Sequence, residues 1–328
     1  MNKKQKVLVL LSGGLDSTLA LKAMLEQDLD VEALIFTTPF CLCDKCNASS
    51  VIQKFGIKAH TFVLGQEYLD LVTNPPHGHG SQMNPCLDCR IMMMKKAKEL
   101  AQKMGAICIV TGEVLDERPF SQTRQSMNRI EKEAGMQGQI LRPLSAKLLP
   151  ETEVEKSGIV DREALFAIRG RRRLPQMDLD KKWGINDYTC PSGGCLLTDP
   201  RFADRLREFL KHNEQLKIDD TARLKVGRHF RVDGYKIVVG RNEKENQRLL
   251  AIASQQKRSY LEVVDYMGPI TLLDENCPDK VIIKAAEITV RYSDVEKGVK
   301  VNVNHVAESA KTLTTKAASD KEIEPFRI

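Results

Sequence analysis

The chain has 328 residues, enough for two or three domains that each bury a core. Hydrophobic residues make up 42% and charged residues 29%, the balance of an ordinary soluble chain, and no apolar run is long enough to span a bilayer. The net charge of +6 permits an acidic partner such as RNA without requiring one. Met1 to Lys6 is basic, but the apolar run after it reads as a strand and not as a signal peptide, so a cytoplasmic protein with no membrane partner is expected.

In chain order, strands are expected at Val7–Leu11, Val31–Thr37, Lys58–Val63 and Ile107–Thr111. Helices are expected between them, at Asp16–Glu26, Ala48–Phe55 and Arg90–Met104. This alternation argues a doubly wound parallel α/β sheet, whose ligands bind beyond the carboxyl ends of the strands. Three functional stretches fall there: the turn at Ser12, "TTPFCLCDKC" after the second strand, and "TGEVLDERPFSQTR" after Thr111. From Leu141 to Asn186 three prolines and a basic knot, Arg169–Arg173, read as a connector with short helices. A helix follows at Arg201–Asn213. Beyond Asp219 the pattern turns strand-rich. "HFRVDGYKIVVGRNEKENQRLLAIAS" reads as a hairpin with an Asp233-Gly234 turn, then a helix capped by Asn242. "YLEVVDYMGPITLL" and "VIIKAAEITVRYS" add strands, and the tail from Thr312 reads as polar and mobile. The expected division is 1–145 (parallel sheet), 146–215 (connector) and 216–328 (strand-rich α+β domain).

The run Ser12-Gly13-Gly14-Leu15-Asp16-Ser17-Thr18 joins a strand to a helix start. Two glycines let the backbone turn its N–H groups toward a ligand, and the helix adds the positive end of its dipole. Together these make a phosphate site. The common phosphate loop carries a lysine here; this one carries Asp16 instead. A carboxylate repels phosphate unless a metal stands between them, so Mg²⁺ is implied. The hydroxyls of Ser12 and Ser17 can donate to phosphate oxygens.

Nine cysteines in a reducing compartment point to metal or to chemistry rather than to static disulfides. Three clusters stand out: Cys41, Cys43 and Cys46; Cys86 and Cys89 in "NPCLDCR"; Cys190 and Cys195 in "CPSGGC". Zinc and iron–sulfur both remain open, as does a structural knuckle that pins loops. Thiolates at a helix start are expected to be acidified. Cys108 reads as a buried small hydrophobe and Cys277 as incidental. His77 and His79 are loop residues or spare ligands. Arg169, Arg171, Arg172 and Arg173 fit contact with a phosphate backbone, or a plain solvated face.

The heptapeptide resembles the pyrophosphate loop of the PP-loop ATP pyrophosphatases, a Rossmann-like family that splits ATP between its α and β phosphates. With "NPCLDCR", "TGE" and a downstream "GGC" in the same order, residues 6–200 resemble the tRNA thiouridine synthases, 2-thiouridylases among them. The family's usual Thr-Gly-His is Thr111-Gly112-Glu113 here, and "CLCDKC" is no part of the bacterial pattern. The hairpin region resembles the NFACT-R type of RNA-contacting module. The resemblance implies ATP contacts at Leu11, Ser12, Gly13, Gly14, Asp16, Ser17, Thr18, Phe36, Thr111 and Gly112. It implies a [4Fe-4S] cluster on Cys86, Cys89 and Cys195, with Cys190 the rival third ligand and zinc the alternative metal. Catalytic roles fall to Asp16, Cys86 and Cys195. The implied partners are tRNA and a sulfur donor, either inorganic sulfide or a persulfide carrier; the oligomeric state stays open. The implied reaction adenylates a uridine carbonyl and replaces its oxygen by sulfur, through the cluster or through a cysteine persulfide. Two other readings are ATP-driven sulfur or nitrogen transfer to a small molecule, and a zinc-stabilised RNA-binding protein with a relict nucleotide site.

Overall fold

The computed structural model describes residues 4–41, 48–185, 194–307 and 309–328. The chain forms two compact units, Met1–Asp199 and Pro200–Ile328.

In the first unit the strands are β1 (Lys6–Leu10), β2 (Asp30–Thr37), β3 (Lys58–Val63), β4 (Cys108–Thr111) and β5 (Ile140–Leu141). They form one parallel sheet in the order β3-β2-β1-β4-β5. Alternate residues of β1 serve opposite cores, because strand side chains alternate across the sheet. Val7 and Val9 join α1 (Leu15–Leu25) and α2 (Ala48–Phe55) on one face. Leu8 and Leu10 join α4 (Cys86–Met104) and α5 (Arg124–Ala134) on the other. Burial on both faces is why β1 is an unbroken apolar run. The order reverses between β1 and β4, so a crevice opens beyond their carboxyl ends.

Residues 146–185, read from the sequence as a connector, pack into this unit. Val154, Val160 and Leu165 enter the first core, and Ile168 and Ile185 cluster with Leu15 and Leu19. The segment contains α6 (Glu153–Lys156) and α7 (Leu174–Trp183). A further helix, α3 (Gln66–Thr73), precedes α4.

The second unit opens with α8 (Pro200–His212) and α9 (Ile218–Leu224). Its antiparallel sheet comprises β6 (Arg228–Val232), β7 (Tyr235–Val239), β8 (Tyr260–Val263), β9 (Thr271–Leu273), β10 (Lys300–Val306) and β11 (Lys311–Lys316), in the order β11-β10-β8-β9-β7-β6. The β6–β7 hairpin turns at Asp233 and Gly234, both at positive φ (47° and 86°), as expected. Asn242 caps α10 (Glu243–Gln256), its side chain accepting from the Glu245 N–H at 3.0 Å.

Two expectations fail here. "VIIKAAEITVRYS" is no strand: it lies in α11 (Asp279–Arg291), which covers one face of the sheet while α10 covers the other. Its buried positions 281, 282, 285, 286 and 289 recur at helical spacing, and Pro278 sets the N-cap. The β-branched composition pointed the other way. The tail from Thr312 is tied down: β11 pairs along β10, and α12 (Asp320–Ile323) carries a capping box between Ser319 and Glu322. Ile323 is fully buried, and the Ile328 N–H donates to the His229 carbonyl at 3.1 Å.

Candidate active site

The loop after β1 is built as the glycines require. Gly13 sits at φ +75° and Gly14 is the N-cap of α1. Ser17 is tethered from two sides: its hydroxyl donates to the Gly14 carbonyl at 3.0 Å, and it accepts from the Ser12 N–H at 3.2 Å. The Ser12 and Ser17 hydroxyls stand 3.1 Å apart. Thr18 is fully buried and gives its hydroxyl to the Gly14 carbonyl, so it braces the loop. Gly112, at the end of β4, meets the loop from across the switch point. A Cβ there would lie 2.5 Å from the Asp16 carbonyl carbon and from the Ser17 nitrogen.

A cavity of about 250 Å³ opens at this point. Its wall includes Leu11, Ser12, Gly14, Asp16 and Ser17 from the loop, Phe36 from β2, and Thr111 and Gly112 from β4. The same wall holds Cys86, Cys89 and Cys195. Of the nucleotide residues read from the sequence, Gly13 and Thr18 shape the loop without lining the cavity. Cys43, Cys46 and Cys190 lie outside the described residues.

The three thiols reach the cavity from separate places. Cys86 and Cys89 occupy the first turn of α4. Asn84, itself buried, donates its amide to Cys86 Sγ at 3.1 Å and is held by the Gln82 N–H at 3.1 Å. Cys195 is brought in by backbone stitching. Its bridge to Cys41, the Leu196 N–H to the Phe40 carbonyl (2.9 Å) and the Met83 N–H to the Leu197 carbonyl (3.1 Å) fix that segment between the end of β2 and the loop before α4. Tyr68 stands behind Cys89, its hydroxyl 3.9 Å from Sγ.

Helix-start acidification does not govern Cys89. Burial pushes Cys89 up to about 11 against the pull of Arg90, and pushes Cys195 up to about 12. Removal from water disfavours a bare thiolate more than the dipole favours it. A bound metal cation reverses that balance, because it deprotonates a coordinating thiol outright. Among the described residues, no three His, Cys, Asp or Glu side chains are grouped for a single metal ion. The donor set of three thiols on one wall fits an iron–sulfur cluster held by three cysteines. His77 and His79 are engaged elsewhere. His77 bonds Asp88 at 2.6 Å and Glu133 at 2.9 Å, and the Asp88 bond raises its pKa; His79 bonds the Val72 carbonyl at 2.8 Å.

The carboxylates divide into two kinds. Glu113, in the "TGE" turn, lines the cavity but is buried and bound by Arg142 at 3.0 Å, with Arg90 at 3.5 Å. Burial pushes its pKa up, but the two arginines outweigh that and hold it below the usual range. It is a buried anchor. Asp16 is raised to about 6, first by burial and then by the charge of Glu117. Its Oδ1 is buried without a hydrogen-bond partner. An orphaned carboxylate oxygen beside a second carboxylate and a phosphate-type loop is where Mg²⁺ fits.

Of the basic knot, Arg171 and Arg172 face solvent, and exposed Arg169 bonds Asp116 at 2.6 Å. Arg173 turns inward to Glu117 at 2.5 Å. Reading the sequence missed Glu117, Tyr68, Arg118, Ser121 and Gln122. All but Tyr68 lie in "TGEVLDERPFSQTR", which was singled out as a stretch without its individual side chains. Tyr68 sits inside a short helix with no motif around it.

Two families match the chain: residues 2–148 match the family described as thiamine biosynthesis protein (ThiI), and residues 227–327 match the NFACT protein RNA binding domain. A relative, the tRNA-specific 2-thiouridylase MnmA of Pseudomonas fluorescens (strain Pf0-1), is 26% identical over 239 residues, covering 69% of this chain. The chain spans 61% of that relative's length. Among solved structures, a 4-thiouridine synthetase–RNA complex with bound ATP is 20% identical, covers 62% of this chain and 50% of its own, and gives a TM-score of 0.36. The U34-tRNA thiolase NcsA from Methanococcus maripaludis, with its [4Fe-4S] cluster, is 18% identical, covers 64% and 67%, and gives 0.34. At those scores the likeness supports no functional statement. The chain is thus similar to the ThiI family over residues 2–148 and to the NFACT protein RNA binding domain over residues 227–327.

Proposed function

We propose that the chain is an ATP-dependent tRNA thiouridine synthase of the cytoplasm. One observation carries the reading: three thiols and a pyrophosphate-type loop share one cavity. The family matches and the 2-thiouridylase relative support it.

The uridine carbonyl oxygen attacks the α-phosphorus of ATP, and pyrophosphate departs. The N–H groups of the Ser12–Ser17 loop and the amino end of α1 receive the charge that develops there. Asp16, with Glu117 behind it, would hold Mg²⁺ against the phosphates. The adenylate turns a poor leaving group into AMP. Sulfide from a donor then attacks the ring carbon, and AMP leaves with the former carbonyl oxygen. Cys86, Cys89 and Cys195 would hold the [4Fe-4S] cluster, which when bound supplies an open iron for sulfide. Asn84 steadies the Cys86 sulfur by its hydrogen bond. Phe36, Leu11 and Tyr68 give the cavity its apolar lining and keep water from the adenylate.

Anaerobic purification tests this. The expected protein is brown, with about four irons and about four acid-labile sulfides per chain. It turns ATP into AMP and pyrophosphate when tRNA is added. Cys86→Ala, Cys89→Ala and Cys195→Ala should each lose the colour and the thiolation, and a deletion strain should lack one thiouridine in its tRNA nucleosides. Release of ADP and phosphate refutes the adenylation. Stoichiometric zinc with full activity in an iron-free preparation refutes the cluster and restores the persulfide route.

A further inference from the structure

Arg173 stands where the metal is expected. It is the N-cap of α7. One terminal nitrogen lies 2.5 Å from Glu117 Oε1 and 3.9 Å from Asp16 Oδ2. Gln176, three residues on and fully buried, gives its amide N–H to Glu117 Oε2 at 3.4 Å. Its own Oε1 is buried without a hydrogen-bond partner, as is Asp16 Oδ1. The start of one helix therefore addresses two carboxylates at once and leaves acceptor oxygens over.

A guanidinium is a permanent charge on a long stem, and its planar fork matches phosphate. Mg²⁺ takes oxygen ligands at about 2.0–2.1 Å in near-octahedral order, closer than either contact of Arg173. Both cations cannot occupy the gap between Asp16 and Glu117. Asp16 also lines the cavity beside Ser12, Gly14 and Ser17, so phosphates bound on the loop lie next to the same gap.

We propose that Arg173 is a tethered cation that fills the metal's place between Asp16 and Glu117 while no nucleotide is bound. When ATP arrives with Mg²⁺, the metal takes the carboxylates and the guanidinium moves to the phosphates. This rests on the reading of Asp16 and Glu117 as the metal carboxylates. It makes metal binding conditional on nucleotide, because the carboxylates are released only when phosphate gives the arginine a better partner.

The test is Mn²⁺ binding to the full chain, followed by the magnetic-resonance signal of free Mn²⁺, with and without α,β-methylene-ATP. Wild type is expected to bind Mn²⁺ weakly alone and at least about tenfold more tightly with the analogue. Arg173→Met is expected to bind Mn²⁺ without nucleotide about tenfold more tightly than wild type, and to gain little from the analogue. If Arg173→Met fails to fold, Arg173→Gln keeps a donor for Glu117 and should give the same gain; Arg173→Lys should restore weak binding. Equal nucleotide-free affinity in wild type and in the folded neutral variant overturns the proposal. The double variant with Asp16→Asn separates the underlying reading. If it binds Mn²⁺ as tightly as the single variant, the carboxylate site itself is wrong; if it loses the ion, that site stands.

Discussion

The two units treat buried polar atoms in opposite ways. In the first, the buried side-chain atoms without a hydrogen-bond partner, among the described residues, are mostly oxygens: Asp16 Oδ1, Glu113 Oε1, Gln122 Oε1 and Gln176 Oε1, with Arg142 Nη2 the exception. In the second they are all nitrogens, on Arg223, His229, Arg231 and His305. Asp16, Glu113 and Gln122 also line the cavity at the Ser12 loop. The nitrogens of the second unit belong mostly to side chains already committed inside it. Arg231 and Lys236 share Glu208, Arg223 bonds Asp220 and Asp274, and His229 bonds the Val226 carbonyl. Spare acceptors facing a cavity mark a place for a cation and its ligand. Spare donors inside paired clusters mark structure. A basic count along the sequence therefore says little about which charges are free for a partner: Arg228 lies over the Tyr292 ring and bonds the Gly240 carbonyl, and Arg241 is paired with Glu245.

The sharpest way to break this contrast is Asp16→Asn. Pyrophosphate release should fall about a thousandfold through loss of metal and charge placement. Stability should move the other way. The folded pKa of Asp16 is raised to about 6 from 3.8. A raised carboxylate contributes stability below its unfolded value and loses it as pH rises through 6. At pH 7.5 the nucleotide-free variant should thus melt above wild type, with the gap closing by pH 4. A variant that melts lower at pH 7.5 would mean that Asp16 is held for structure.

Glu208→Gln probes the other side. Removing the one carboxylate shared by Arg231 and Lys236 should cost about 3 kcal/mol in urea unfolding, because a buried charge is left uncompensated. Burial lowers Lys236 to about 8 from 10.5. Its contribution is present above 10.5 and lost as pH falls through 8, so wild-type stability from this group should rise across that window. ATP-to-pyrophosphate turnover of the folded variant should not change.

What reading the chain could reach follows the same division. The turn at Ser12 was legible because it is built by local backbone: a strand, two glycines and a helix start adjoin in sequence. The Asp233-Gly234 hairpin and the Asn242 cap were legible for the same reason. Helix α11 was misread because Val281, Ile282, Ile283, Ile288, Thr289 and Val290 are β-branched, and composition outweighed spacing. Strongly polar α5 buries only Met127, Ile130 and Ala134 and was not foreseen. Glu117 and Arg173 are 56 residues apart and meet only through α7, so no local pattern announces their pairing. The acidity of Cys89 was misjudged because burial, which local sequence does not display, outweighed the helix dipole.

The smallest expected effect concerns the outward part of the basic knot. Arg171→Ala with Arg172→Ala should weaken tRNA binding a few-fold and lower the slope of affinity against salt by about one per residue, if these side chains meet phosphate. ATP binding should be untouched. An unchanged slope would leave RNA contact to other surfaces and make this stretch a solvated face.

Gly112 has a further consequence. The loop and β4 meet there as main chain against main chain, with no room for even one methyl carbon. The gauge of the cavity at the Ser12 loop is therefore set by peptide planes rather than by side chains, and side-chain exchange has little purchase on it. Side-chain control over what the cavity accepts falls instead to lining residues such as Phe36, Tyr68, Arg90 and Met93. A change in what this scaffold accepts would be written in those four residues while the main-chain approach at Gly112 stayed the same.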